Sequence, residues 1–209
     1  MSPLNILVVC TGNICRSPYA ERALQALADR IAPGAFSVTS AGTRAVVGRG
    51  MESGSARILT EHGIPTAGPV ARQLTADMVT GADLVLGLAR EHRAEVLDLV
   101  PGALRRTFTL REFARLLSSC TAAPSSEEIR AAASADTLPD RWRALTPLAL
   151  RHRTDAKAAN PADDDVLDPY GLDDAAFRTM AAQIDAALIP LLDTLTRLGA
   201  ADPHPSTSN

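Results

Sequence analysis

In Asn5-Ile6-Leu7-Val8-Val9-Cys10-Thr11-Gly12-Asn13-Ile14-Cys15-Arg16-Ser17-Pro18, five mostly aliphatic residues run into a cysteine, a short polar loop and a helix start. A strand with one wet face alternates apolar with polar. An unbroken apolar run is instead the pattern of a strand covered on both faces, as in a parallel sheet flanked by helices. Pro18 stands just inside the next element, where its missing N–H costs nothing. Ala20, Ala23, Leu24, Leu27, Ala28 and Ile31 then follow at helical spacing, predicting a helix over 17–31.

The same alternation continues outward. Pro33-Gly34 ends the first helix, and residues 36–40 read as a second strand. A helix is expected near 53–62, stopped by Gly63, and a short one from Thr75. Strands at 83–87 and 106–110 flank a helix at 91–99. Strands alternating with helices of this length imply βαβ crossovers. The expected class is α/β: three layers, with a central, mostly parallel twisted sheet of about four strands and helices on both faces.

Residues 111–153 break the pattern. Phe113, Leu116 and Leu117 suggest one helix, and Trp142, Leu145, Leu148 and Ala149 another, with weak periodicity over 118–135 between them. Apolar residues from Phe177 to Leu198 form a long amphipathic final helix, in which Pro190 should introduce a kink. The expectation is a single domain over 1–199, interrupted by a helical insertion at about 111–153, with a flexible tail at 200–209. An insertion there could shape the rim of a site and select a protein partner. On that reading, deleting 118–140 would spare small substrates.

Composition narrows the partners. With 46% hydrophobic residues the 209-residue chain can bury a sizeable core. A net charge of -3 argues against nucleic acid as the main partner. No apolar run approaches the ~20 residues of a membrane helix, so no membrane insertion is expected, and the start does not read as a signal peptide. Three cysteines are too few and too odd for a disulfide framework. A cytoplasmic location is therefore expected. Residues 105–153 carry nine Arg against five acids, and 154–174 carry seven Asp against one Lys; two solvated faces that attract each other account for this better than a polyanion site.

The chemistry lies in residues 10–18. A helix N-terminus offers unpaired N–H groups and partial positive charge to an anion. Gly12 and Asn13 are residue types that accept positive φ, so the loop can turn its N–H groups inward. Arg16 adds a planar fork for two phosphate oxygens. A cysteine in that field is favoured as the thiolate, and a thiolate centred in an oxyanion cradle implies attack on phosphorus. A lone Cys10 is more often a small buried hydrophobe, but the glycine, asparagine and arginine that follow weigh against that here. Gly-Lys-Ser/Thr of a nucleotide-binding loop is absent. Cys10 and Cys15 lack the further ligands zinc needs, so no metal and no cofactor are expected.

Cys10-Thr11-Gly12-Asn13-Ile14-Cys15-Arg16-Ser17-Pro18 resembles the signature of the low-molecular-weight protein tyrosine phosphatases. Thr39-Ser40-Ala41-Gly42-Thr43, Ala71-Arg72-Gln73 and Asp168-Pro169-Tyr170 are similar to three further segments of that family, and the resemblance spans 4–110 and 163–198. It implies a metal-independent phosphatase acting on phosphotyrosine in proteins, tyrosine kinases of polysaccharide assembly being candidate substrates. Cys10 would become a phosphocysteine, Arg16 would hold the phosphoryl oxygens, and Asp168 would serve as general acid and base. Thr11, Gly12, Asn13, Ile14, Cys15 and Ser17 would complete the substrate loop. Ser17 would hydrogen-bond the thiolate, and Asn13 would be left-handed and pinned by Ser40. Cys15 either fills the underside of the loop or traps oxidised Cys10 as a disulfide; the resemblance favours the second.

Departures matter too. Val46-Val47 replaces an aromatic common at the cleft rim, leaving Tyr170 as the main aromatic wall and Tyr19 as a lesser one. Pro69 stands where members often carry a histidine, and no histidine of this chain is placed to catalyse. Two rivals share the fold. Protein arginine phosphatases typically have Thr where this chain has Ile14. Thioredoxin-coupled arsenate reductases need two cysteines after the third strand, and 64–100 contain none, which leaves only a form using a small-thiol reductant. A phosphate-binding module without turnover is disfavoured by the joint presence of Cys10, Arg16, Ser17 and Asp168.

Overall fold

The computed structural model describes residues 2–121, 127–154 and 156–200. Leu4–Cys10 (β1) is buried everywhere but Asn5. Ile6 and Val8 enter one core, with Tyr19, Phe113, Trp142 and Ile184, while Leu7 and Val9 enter a second with Val79, Val85 and Val96. That two-sided burial is why the run is apolar throughout.

Phe36–Gly42 (β2) and Leu84–Gly87 (β3) pair with β1 on either side, and Thr107–Thr109 (β4) pairs with β3. The order is β2-β1-β3-β4 and every pairing is parallel. The chain therefore reverses its direction of travel across the sheet at β1, and the crevice at the carboxyl end of such a strand is where α/β sheets bind ligands. Cys10 is the last residue of β1, opposite Gly42.

The helices are Arg16–Ile31 (α1), Ser53–Glu61 (α2), Ala76–Gly81 (α3), Arg90–Leu99 (α4), Leu110–Thr121 (α5), Glu127–Ala133 (α6), Leu138–Ala149 (α7) and Asp174–Ala200 (α8). The larger core receives α1, α2, α5, α7 and α8, and the smaller receives α3 and α4, completing the three layers that the sequence implied. The stretch with weak periodicity contains α6, a helix of seven residues with only Ala132 buried, which is why no apolar stripe announces it. The expected tail lies outside the described residues from 201 onward.

Residues 111–153 pack mostly into the core, with Arg111 lining a cavity beside Arg16 and Asp168. Phe113, Leu116, Leu117, Cys120, Trp142 and Leu145 are all buried in the larger core. Trp142 meets Phe36, the first residue of β2, edge-on at 6.1 Å. Arg143 donates to Asp83, just before β3, and to the carbonyl of Pro3, just before β1. These contacts put α7 at the amino ends of the strands, opposite the end carrying Cys10. Deleting 118–140 would therefore strip core contacts rather than a rim.

Helix α8 is one continuous run through Pro190, where the sequence suggested a kink, and Thr194 Oγ1 donates to the Pro190 carbonyl at 2.8 Å. Among the described helices it alone is long and apolar enough to cross a bilayer. Its apolar stripe, including Met180, Ile184, Leu191, Leu195 and Leu198, is buried in the core, while Arg178, Asp193 and Arg197 face outward.

Candidate active site

The loop between β1 and α1 takes its shape from where its carbonyls go. Those of Cys10, Thr11 and Gly12 accept the N–H groups of Thr43, Arg44 and Val46 at 2.9–3.0 Å, and that of Ile14 accepts Glu52 N–H at 2.8 Å. The Cys15 carbonyl accepts the Ser55 hydroxyl. With the carbonyls tied outward, Asn13 N–H faces the Cys10 sulfur at the centre of the loop, as a nest for an anion requires. Gly42 makes this possible, because a Cβ there would stand 2.5 Å from the Thr11 carbonyl oxygen.

Asn13 is the only described non-glycine residue with positive φ, at 56°. Its side chain ties together α1, β2 and the loop that carries Arg72. Nδ2 donates to Ser17 Oγ and to Ser40 Oγ, both at 2.8 Å, and Oδ1 accepts Arg72 N–H at 3.0 Å. Ser40 Oγ passes its own hydrogen to Glu21 at 2.6 Å. Burial raises the Glu21 pKa, against which the Ser40 bond and the nearby Arg72 act. Since Ser17 Oγ accepts from Asn13, its hydrogen is free for Cys10 Sγ at 3.0 Å. Asn13 N–H also points at that sulfur, at 3.3 Å.

Arg16 is 4% exposed and crosses the mouth of the loop. Its Nη2 donates to Asp168 Oδ2 at 2.7 Å and to Thr11 Oγ1 at 3.2 Å. The segment carrying Asp168 is stitched to the sheet by Val166 N–H on the Leu88 carbonyl. The neighbouring acids are engaged elsewhere: Asp165 binds the backbone and guanidinium of Arg90, and Asp164 binds Arg115. Although burial raises the Asp165 pKa, the Arg90 hydrogen bonds hold it lower overall. Asp168 is thus the acid of this run that reaches the loop.

A cavity of about 210 Å³ opens over Cys10. Ile14 and Val46 line it, with Asp168 and the exposed Tyr170 at its edge. Cys15 lies in the same loop and is buried; burial pushes its thiol up to about 12, with Glu52, Asp168 and Cys10 adding to the shift and Arg16 opposing it. Tyr19 is no part of the wall. It is fully buried and donates to Asp185 on α8. Among the described residues no group of three His, Cys, Asp or Glu side chains converges as a metal site.

Two residues beside the cavity escaped the sequence reading. Arg44 lines it and pairs with Glu95 at 3.2 Å. His92 is buried on the first turn of α4, 2.9 Å from Thr11 Oγ1. Arg44 is one residue past a segment that was recognised, so adjacency was an available signal. For His92 there was none, because only the β1–β3 pairing brings α4 to the loop.

Comparison with known proteins identifies the family. The family described as low molecular weight phosphotyrosine protein phosphatase matches residues 5–121. Low molecular weight protein-tyrosine-phosphatase Etp of Escherichia coli (strain K12) is 40% identical over 103 residues, 49% of this chain and 66% of Etp, so the match spans just under two thirds of that relative. The crystal structure of the tyrosine phosphatase AmsI of Erwinia amylovora superimposes with a TM-score of 0.61 at 26% identity, covering 90% of this chain and 91% of that one. The arginine phosphatase YwlE of Geobacillus stearothermophilus shares the fold, with a TM-score of 0.62 at 24% identity over 93% of this chain and 94% of its own. A loop with its carbonyls turned outward around Cys10, found within a matched stretch of more than half the chain, places this protein in the low molecular weight phosphotyrosine protein phosphatase family.

Proposed function

We propose that the protein is a metal-independent phosphatase that hydrolyses phosphotyrosine in proteins through a phosphocysteine on Cys10. The observation that carries this reading is the convergence on one sulfur of Ser17 Oγ at 3.0 Å and Asn13 N–H at 3.3 Å, in a loop whose mouth is crossed by Arg16 and Asp168.

In the free protein Arg16 is paired with Asp168. An entering phosphoryl dianion takes the guanidinium and the inward amides as its partners, releasing the carboxyl toward the leaving oxygen. Cys10 Sγ attacks phosphorus, the P–O bond to tyrosine breaks, and Asp168 gives its proton to the departing phenolate. Water then attacks phosphocysteine, Asp168 takes back a proton, and the S–P bond breaks to return the thiolate and release phosphate. Arg16 and the loop amides stabilise the equatorial oxygens in both transition states.

Ile14, Val46 and Tyr170 give the cavity apolar walls suited to an aromatic ring. Ile14 in particular supports phosphotyrosine over phosphoarginine. Cys15 has a second role in this proposal: after a peroxide converts Cys10 to its sulfenic acid, the Cys15 thiol condenses with it, releasing water and forming a reducible disulfide. We take residues 1–199 as one catalytic domain that includes 111–153, working in the cytoplasm on a tyrosine-phosphorylated protein.

The test is hydrolysis of an aryl phosphate in EDTA, run beside arsenate reduction with small-thiol donors. Hydrolysis that is lost in Cys10→Ser and inhibited by vanadate supports the proposal. Arsenate reduction without phosphatase activity in the fully reduced protein overturns it.

A further inference from the structure

His92 lies fully buried against the phosphate loop, and the mechanism above gives it nothing to do. Gly87 at the end of β3 lets α4 approach this closely, since a Cβ there would stand 3.0 Å from Arg93 N and 3.3 Å from His92 Cβ. The His92 Nε2 is 2.9 Å from Thr11 Oγ1 and 3.4 Å from a Glu91 carboxylate oxygen. The Nδ1 has no partner among the described residues. Thr11 Oγ1 in turn accepts Arg16 Nη2–H at 3.2 Å. Burial lowers the pKa of the ring from 6.5 to about 3, helped by Arg16 and Arg44 and opposed by Asp165, so it is neutral at pH 7.

A neutral imidazole carries one hydrogen. On Nδ1 that hydrogen would be a buried donor without an acceptor, the costlier way to leave a polar atom unpaired. On Nε2 it meets the Thr11 oxygen, with the Glu91 carboxylate close by. Thr11 Oγ1 then accepts from both His92 and Arg16, which fills its two lone pairs. Among the described residues its own hydrogen then has no acceptor, and Thr11 lines the cavity.

We infer that His92 is a positioning residue: as the Nε2–H tautomer it fixes the Thr11 hydroxyl, which steadies Arg16 on one side and turns its hydrogen toward a bound phosphoryl oxygen on the other. This rests on the phosphatase reading and adds to it a polar support on the side of the loop opposite Asn13.

The test uses the full chain. Imidazole ¹⁵N–¹H spectra at pH 7 read the tautomer directly. Turnover of an aryl phosphate is compared in His92→Phe, which keeps a ring without the donor, and His92→Gln, whose amide reaches the position of Nε2. His92→Phe should lower kcat/KM by about 10-fold, the effect of one hydrogen bond to a catalytic group, and His92→Gln should stay within about threefold of the parent. In a Thr11→Val background, His92→Phe should cost nothing further. An Nδ1–H tautomer, an unimpaired His92→Phe, or losses that multiply in the double variant would overturn the inference. If His92→Phe does not fold, the tautomer and His92→Gln decide. If the parent protein hydrolyses nothing, the phosphatase reading has failed, and the tautomer with calorimetric phosphate affinity in His92→Gln still tests His92.

Discussion

Replacing Asn13 probes how much of the fold is held in the shape of the active loop. Asn13→Ala removes two donated bonds at 2.8 Å and one accepted bond at 3.0 Å, leaving Arg72 N–H without that partner. At a net ~1 kcal/mol each, the three bonds account for about 3 kcal/mol. Holding alanine at a left-handed φ adds about 1 kcal/mol. The expected loss of about 4 kcal/mol is a large share of the 5–15 kcal/mol typical of a domain. Asn13→Gly loses the same bonds but accepts the φ, so it should fall about 1 kcal/mol less. Urea unfolding followed by the fluorescence of Trp142, the only tryptophan, measures both. With a slope near ~2 kcal/mol per molar, the midpoint should drop by about 2 M in Asn13→Ala and about 1.5 M in Asn13→Gly. A drop below about 0.5 M in Asn13→Ala, or a glycine variant less stable than the alanine one, would refute this reasoning.

Three further outcomes are expected. Asp168→Asn should lower turnover of an aryl phosphate by roughly 10²–10⁴ while leaving vanadate binding in place; an undiminished rate would remove Asp168 as the general acid. Iodoacetate at pH 7 should modify one cysteine, Cys10, and phosphate should protect it, because burial keeps Cys15 and Cys120 as thiols at about 12 and about 11; peptide mass spectrometry reads the site. The buried His92 makes stability depend on pH. Faced by Arg16, Arg44, Asp165 and Glu91, it stays neutral when folded down to about 3, whereas the unfolded ring takes up a proton near 6.5. The unfolded chain therefore binds more protons between these values, so the contribution is full above about 6.5 and falls by up to ~1.4 kcal/mol per pH unit below it. Denaturant titrations from pH 7 to 4 should show a shallower loss in His92→Gln than in the parent; parallel curves would contradict the assignment.

The layered fold could be read from residues 6–9 because burial on two faces leaves an unmistakable apolar run, and Pro18 marks the helix that follows. Cys10, Arg16 and Asn13 were legible because a tight anion loop admits few residue types. Where the chain departs from local rules the reading weakened. The stretch 118–135 hides α6 because Ala and Ser carry little hydrophobic contrast, and nothing in 111–153 reveals that α7 closes the core at the amino ends of the strands. Tyr19 looked available from its place on the active-loop helix, but its phenol turns to Asp185, far along the sequence. His92 and Arg44 belong to the site only through strand order and loop closure, which are properties of the folded chain.

The central claim is that Cys10 forms a covalent bond to phosphorus. Rapid acid quench of the protein with an aryl phosphate, without metal, followed by mass analysis of the Cys10 peptide, tests it most directly. A transient increment of one phosphoryl group on Cys10, appearing with a burst of phenol and absent in Cys10→Ser, is the predicted result. Phenol release with no phosphorylated Cys10 at any quench time, or turnover that persists in Cys10→Ser, would contradict it.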